Sequence, residues 1–332
     1  MLIELTQAVN LGIEEHPHMI HLAQSLSPKE KAEFIAFFQK KKINFAWTYS
    51  NMPGLDLDLI MHHLSIAPGI KPVKQKLHKM YPHVALLVKA KLEKLLKAGF
   101  IRAIDYVEWI SKIVLVSKHD KSIRVCMDFR DLNLACPKDD FPLPNIDMIV
   151  DMMAGYEMYS LMDGFSGYNQ IKIAPEDQEK TTFSCAWGNF YWNMMPFGLK
   201  NVGAIYKRAI ITIFHDMMHK TMEDYVDDTL VKSAQHHTHL QDLGPILDRM
   251  EKFSLRLNPK KCAFGVTLEK LLGYIVSTKG IEVDLENVQS IMDMPPLRNI
   301  SQMRGLQGRL QSIRRFISQL ADRSQTFYKD LT

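Results

Sequence analysis

Apolar positions along this chain follow two different periods, and the places where one gives way to the other mark its elements. Ser27, Pro28 and Glu30 combine an N-cap, a first-turn proline and a capping-box partner, so a helix should start there. Ile35, Phe37 and Phe38 give it a small buried face, and Asn51-Met52-Pro53-Gly54 breaks the segment. Val84, Leu87, Val88, Leu92, Leu95 and Leu96 recur at helical spacing up to Gly99, with Lys89, Lys94 and Lys97 largely off that stripe. Residues 113–116 and 123–127 then read as two strands joined by the polar tip 118–122.

Further on, residues 159–163 predict a short strand ending at Asp163, followed by a turn containing Gly164 and Gly167. Phe183, Trp187, Phe190, Tyr191 and Trp192 suggest an aromatic strand pair turning at Gly188-Asn189. A helical run covers 204–219, and a hairpin covers 222–233. A second helix shows through Leu240, Leu243, Ile246, Leu247 and Met250. Two strands, within 255–264 and 271–277, complete the series. Strand, helix, hairpin, helix, strand pair is compatible with an α+β, ferredoxin-like unit whose sheet presents its acidic residues at one edge. Near the C-terminus, Met303, Leu306, Leu310, Ile313, Phe316, Ile317 and Leu320 share one helical face.

Composition sharpens this picture only in places. With 332 residues, 46% of them apolar, the chain can bury a substantial core in one or two compact units. The net charge of +4 is modest but unevenly spread. Residues 71–97 hold eight lysines and one glutamate, and residues 298–332 hold six arginines and Lys329 against Asp322 and Asp330. Each segment reads either as a solvated helix face or as a surface that meets phosphates. Cys126, Cys136, Cys185 and Cys262 are scattered, which suggests neither a disulfide framework nor a zinc module. No run approaches the roughly 18 apolar residues of a membrane span, so a soluble protein that is not secreted is expected.

The chemistry centres on Tyr225-Val226-Asp227-Asp228. Asp-Asp has low strand propensity and belongs at or beside a turn, where the pair is either a solvated acidic tip or a divalent-metal site. Oxygen ligands favour magnesium or manganese over zinc. Asp163, at the end of its own predicted strand, supplies a third acid. Carboxylates from separate strands at one edge are what two-metal phosphoryl transfer requires.

These two motifs, with Met195-Pro196-Phe197-Gly198-Leu199-Lys200-Asn201 between them, resemble the reverse transcriptase of gypsy-type LTR retrotransposons, with the nearest likeness to the group in plant genomes. Asp128-Phe129-Arg130-Asp131-Leu132-Asn133 matches a further family motif, in which Asp128 and Arg130 brace the fingers. The resemblance implies a right-hand polymerase fold with fingers, a ferredoxin-like palm and a partial thumb or connection. On it, residues 1–55 are a connector arm, 56–97 an extended segment and basic helix, 98–277 the polymerase domain, and 278–332 the start of the thumb without an RNase H domain.

The implied activity is RNA-directed DNA synthesis, with Asp163, Asp227, Asp228 and a backbone carbonyl at Gly164 holding two magnesium ions, manganese being the alternative. Lys118 and Arg124 match the triphosphate contacts, and Gly167, Tyr168, Phe197 and Gly198 match the nucleotide pocket. Tyr168 corresponds to the aromatic gate that excludes a 2′-hydroxyl. Leu272, Gly273 and Tyr274 match the primer grip. Implied partners are an RNA and DNA template-primer and deoxynucleoside triphosphates, in a cytoplasmic particle or the nucleus. Two other readings stay open: an RNA-copying RNA polymerase on the same palm, and a decayed or domesticated remnant that binds nucleic acid without catalysis. One departure is Lys121, where the family usually has glycine.

Overall fold

The computed structural model describes residues 5–117, 123–142, 144–225, 228–267, 269–271 and 274–325. Its central sheet runs Thr6–Asn10, Met19–Ala23, Ala263–Val266, Met158–Asp163, Asp228–Ser233, Met222–Tyr225. Strand Met158–Asp163 leads through helix Val202–Phe214 to the Met222–Ser233 hairpin, and helix His239–Lys252 returns the chain to Ala263–Val266. Met158–Asp163 lies antiparallel to both its neighbours. This is the ferredoxin-like order expected of the palm.

The first 55 residues are more than a connector. Met19–Ala23 runs parallel to Ala263–Val266, with Leu22 opposite Phe264, and Thr6–Asn10 pairs with it antiparallel. Helix Pro28–Lys40 begins with the predicted capping box, Ser27 and Glu30 each bonding the other's backbone N–H. It sets Phe38 against Phe264 at 4.4 Å between ring centroids and against Phe45 at 5.8 Å. The arm thus closes one edge of the palm sheet. Its strands give little signal in the sequence: each is five residues long, Thr6–Asn10 has no fully buried residue, and in Met19–Ala23 only Ile20, Leu22 and Ala23 are buried.

A second sheet orders Ile101–Ile104, Gly188–Trp192, Phe183–Cys185, Ser111–Ser117, Ile123–Met127. It contains the expected fingers hairpin, whose tip at 118–122 lies outside the described residues. The aromatic pair turns at 186–187 and not at Gly188-Asn189. Gly188 sits opposite Cys185 and opens its strand at φ +129°, a conformation that side-chain-bearing residues rarely adopt.

Three amphipathic expectations narrow. In helix Pro82–Lys97 only Val88, Leu92 and Leu95 are buried, while Leu87 and Leu96 face solvent. The 204–219 run ends as a helix at Phe214, and His219 takes a left-handed φ of 64°. The long C-terminal helix is broken: Ile300–Ser312 gives way to a short turn at Arg314–Phe316 and to Leu320–Arg323, and of the seven residues on the expected face only Ile313 is buried. The break coincides with ion pairs of Arg314 to Asp147 and Arg315 to Asp151, on helix Ile146–Met153. These two arginines, expected to meet phosphate, are engaged within the chain.

Candidate active site

Strand Met158–Asp163 and strand Asp228–Ser233 pair over their whole length, and the register puts Asp228 directly opposite Asp163. Opposed residues of an antiparallel pair have Cα atoms about 4.5–5.5 Å apart, so their carboxylates share one small region. Asp227 and Val226 lie outside the described residues. The Asp228 carboxyl is pushed above the usual carboxylate range, by partial desolvation first and by the Asp163 charge second, while Lys261 acts in the opposite direction. Because Asp228 is still exposed at the strand end, desolvation is the softer of the two causes, and the cross-strand charge is the one the geometry guarantees.

Opposed acids of this kind call for a cation, and the chain supplies one itself. Lys261 Nζ donates to Asp163 Oδ2 at 2.8 Å. The turn that carries Lys261 is fixed to the same strand end: Asn258 N–H donates to Asp163 O at 2.8 Å, and Lys261 and Cys262 N–H both return to Asn258 O. Cys262 beside it is fully buried, its thiol pushed up to about 12 by that burial. Lys261 was not anticipated. Asn258-Pro259 signals a turn, but which strand end that turn abuts is a tertiary fact.

The hairpin bearing Asp228 is anchored from below by another missed pair. Lys207, on helix Val202–Phe214, donates to both Asp224 O and Asp224 Oδ2 at 2.7 Å, and the two side chains are 5% and 0% exposed. Next to them, Lys232 Nζ donates to Glu223 Oε1 at 2.9 Å, also buried.

Downstream of Asp163 the chain turns tightly. Ser166 takes a left-handed φ of 53°, and Gly167–Gln170 forms a short 3-10 turn. Tyr168 is buried there, its ring 5.0 Å from Phe197 and 5.4 Å, edge to face, from Tyr206. Gly164 is required by closeness: a Cβ there would meet Tyr206 Oη at 3.1 Å and Gly167 Cα at 3.3 Å. Phe197 is half exposed, and Gly198, at φ +100°, accepts from Asn133 Nδ2 at 2.7 Å. Asn133 Oδ1 also accepts from Lys200 N–H, so the end of the Asp128–Asn133 motif holds the segment from Gly198 to Lys200 in place. Asp128 and Arg130 form a two-pronged pair at 2.8 and 2.7 Å, which holds the Asp128 carboxyl at about 2.

Arg124 is exposed on the fingers strand opposite Val116, while Lys118, Leu272 and Gly273 lie outside the described residues. Tyr274 is buried with its ring 5.9 Å from Phe316. Its side chain packs inward, with its hydroxyl 3.5 Å from Asp147 Oδ1. Among the described residues a separate group, His63, Glu176 and Asp177, brings three ligand-type atoms within 4.8 Å of one another. There Asp177 already accepts from Leu64 N–H and pairs with Lys180, and it shares no residue with the Asp163 site.

Residues 116–276 match the family model described as reverse transcriptase (RNA-dependent DNA polymerase). The chain is 32% identical over 251 residues to a retrovirus-related Pol polyprotein from transposon opus of Drosophila melanogaster, an overlap of 73% of this chain and 25% of the relative. This chain carries a reverse transcriptase domain of the LTR-retrotransposon Pol kind. The chain is also 29% identical over 257 residues to the Pol polyprotein from transposon gypsy of the same fly, over 76% of this chain and 25% of that one. It is 27% identical to the transposon Tf2-3 polyprotein of Schizosaccharomyces pombe, over 67% and 17%. The chain thus spans about a quarter or less of the curated relatives it matches.

Among solved structures, it resembles foamy viral protease-reverse transcriptase in complex with dsDNA, with TM-score 0.82 and 17% identity over 92% of this chain and 63% of that one. The same viral protein in complex with an RNA/DNA hybrid gives 0.79 and 17% over 92% and 40%. The fold of the reverse transcriptase domain is therefore the right-hand polymerase fold, with mixed helix and sheet. Among the described residues no helix is long and apolar enough to cross a membrane.

Proposed function

We propose that this chain is an RNA-directed DNA polymerase that extends a primer on an RNA or DNA template with deoxynucleoside triphosphates. The observation that carries the reading is the register of Asp228 against Asp163, two acids from separate strands at one sheet edge. Their mutual repulsion and the ammonium already drawn to Asp163 mark the edge as cation-seeking, which fits a divalent-metal centre. Asp163, Asp227, Asp228 and the Gly164 carbonyl would hold two magnesium ions, or manganese. When bound, the ions would lower the pKa of the primer 3′-hydroxyl and carry the triphosphate charge.

The remaining work falls to this chain's own side chains. Tyr168, backed by Tyr206 and flanked by Phe197, would form a firm wall beneath the incoming sugar, with no space for a 2′-hydroxyl. Gly167, Phe197 and Gly198 would shape the pocket floor. Arg124 and Lys118 would bind triphosphate oxygens, a guanidinium fork and a point charge being the natural ligands there. Leu272, Gly273 and the Tyr274 backbone would hold the primer. The finer placement, a gypsy-type element of a plant genome acting in a cytoplasmic particle or the nucleus, rests on motif resemblance.

The test is primer extension on an RNA template with magnesium, run beside a gel shift in chelator. Extension by the wild type, abolished in Asp163→Asn and Asp228→Asn, is the expected result. A gel shift without any extension would assign a nucleic-acid-binding remnant instead.

A further inference from the structure

The ion pair at the acidic edge has an orientation that suggests more than stabilisation. Lys261 places its ammonium 2.8 Å from Asp163 Oδ2, and its charge reaches Asp228 as well. A divalent ion shared by these carboxylates would compete with that ammonium for the same Asp163 carboxylate. Yet the Lys261 side chain is 63% exposed, so nothing packs it into the site permanently. Its backbone is the fixed part, held by the Asn258 turn that hydrogen-bonds to Asp163 O. A rigid mount with a free arm is suited to a reversible contact.

We propose that Lys261 is a built-in stand-in for the divalent cation: its ammonium occupies the Asp163 carboxylate in the metal-free protein and is displaced when the metal binds. The inference rests on the metal-site reading above and goes beyond it by assigning a competitor to one of the ligands. Without metal, the opposed acids would repel, and the lysine keeps the strand ends together. With metal, the lysine and the ion do the same job, so their effects on stability are not additive.

The adjacent Lys260 provides the control. It lies on the same turn and carries the same charge, yet its backbone N–H bonds to Asn258 Oδ1 and among the described residues no contact joins its ammonium to Asp163. Binding of Mn2+ would be measured by the loss of its free electron-paramagnetic-resonance signal, with no substrate present. Lys261→Ala is expected to tighten Mn2+ binding about fivefold, the scale of one solvent-accessible ion pair, and Lys260→Ala to change it less than twofold. Lys261→Arg, which keeps the competing charge, should bind as the wild type does. In thermal melts Lys261→Ala should be less stable than the wild type in chelator and equal to it at saturating Mn2+.

Equal tightening in the two alanine variants would reduce the effect to bulk charge and overturn the inference, as would no change in Lys261→Ala. Asp163→Asn separates the two layers. If it binds Mn2+ as well as the wild type, the metal site itself is wrong. If it loses binding while Lys261→Ala matches wild type, the site stands and only the competition fails.

Discussion

Asp228 stands directly across the antiparallel ladder from Asp163, so the two carboxylates meet at the same end of adjacent strands. In the metal-free protein that proximity is a cost. The Asp228 carboxyl has a native pKa above its unfolded one, so the native state is penalised once pH rises through the unfolded value, and fully at neutral pH. Asp228→Asn should therefore stabilise the metal-free protein at pH 7 while abolishing primer extension. The gain is set at about 1 kcal/mol, near the water limit because Asp228 is solvent-accessible. Urea unfolding in chelator, compared at pH 7 and pH 4, checks it: the gain should shrink at the lower pH.

If Tyr168 is the proposed gate, Tyr206 and Gly164 bear on nucleotide choice through it. Gly164→Ala would press a methyl group against Tyr206 Oη and Gly167 Cα, the cost of overpacking being typically 1–3 kcal/mol. Because Tyr206 supports the Tyr168 ring edge to face, the displacement should also loosen the gate. The expected outcome is a several-fold rise in ribonucleotide incorporation relative to deoxyribonucleotide. Removing the offending hydroxyl in Gly164→Ala/Tyr206→Phe should recover part of both losses. Discrimination ratios and melts on the three variants would check the coupling.

The palm helices were legible in the sequence from their apolar period, and Asp163 and Asp228 could be named because one ends a predicted strand, the other sits at a predicted turn, and both lie in motifs that resemble those of the family. What escaped was decided by tertiary contact. Lys207 looks like an ordinary polar interruption of a helix until Asp224 is brought to it. Lys261 looks like one of two solvated lysines until its turn is bonded to Asp163. The N-terminal strands were hidden because each is only five residues long and the outer one buries no residue, and the C-terminal stripe misled because a hydrophobic period continued through residues whose arginines bond elsewhere.

The buried Lys207 and Asp224 pair makes a separate prediction about the hairpin. Lys207→Met takes the ammonium away from a carboxylate whose side chain is 0% exposed, and breaking one side of such a pair costs about 3–5 kcal/mol. Asp224→Asn, which keeps a polar group for Thr229 and for the lysine, should cost less. If urea midpoints place the two variants in the opposite order, the pair is not what fixes the hairpin.

The last prediction concerns acid stability and comes from His239. Its ring bridges two strands of the palm, Nε2 lying 2.7 Å from Ser160 Oγ and Nδ1 2.8 Å from Ser233 Oγ, and the residue is buried. Burial pulls its pKa down to about 3, so the ring is neutral in the native state at neutral pH. An unfolded histidine titrates near 6.5, so between those values the unfolded chain holds a proton that the native one does not. Stability is then complete above about pH 6.5 and falls as pH drops towards 3, with roughly 2 kcal/mol lost by pH 5 from this group alone. His62, buried with a pKa drawn down to about 4 mainly by desolvation, acts in the same sense. His239→Gln will be destabilised outright, so the informative quantity is the slope. Between pH 7 and pH 5 its unfolding free energy should vary less steeply than that of the wild type, by close to one bound proton at the lower end. Parallel slopes would show that the imidazole titrates in the native state as freely as in the unfolded chain, against the burial seen here.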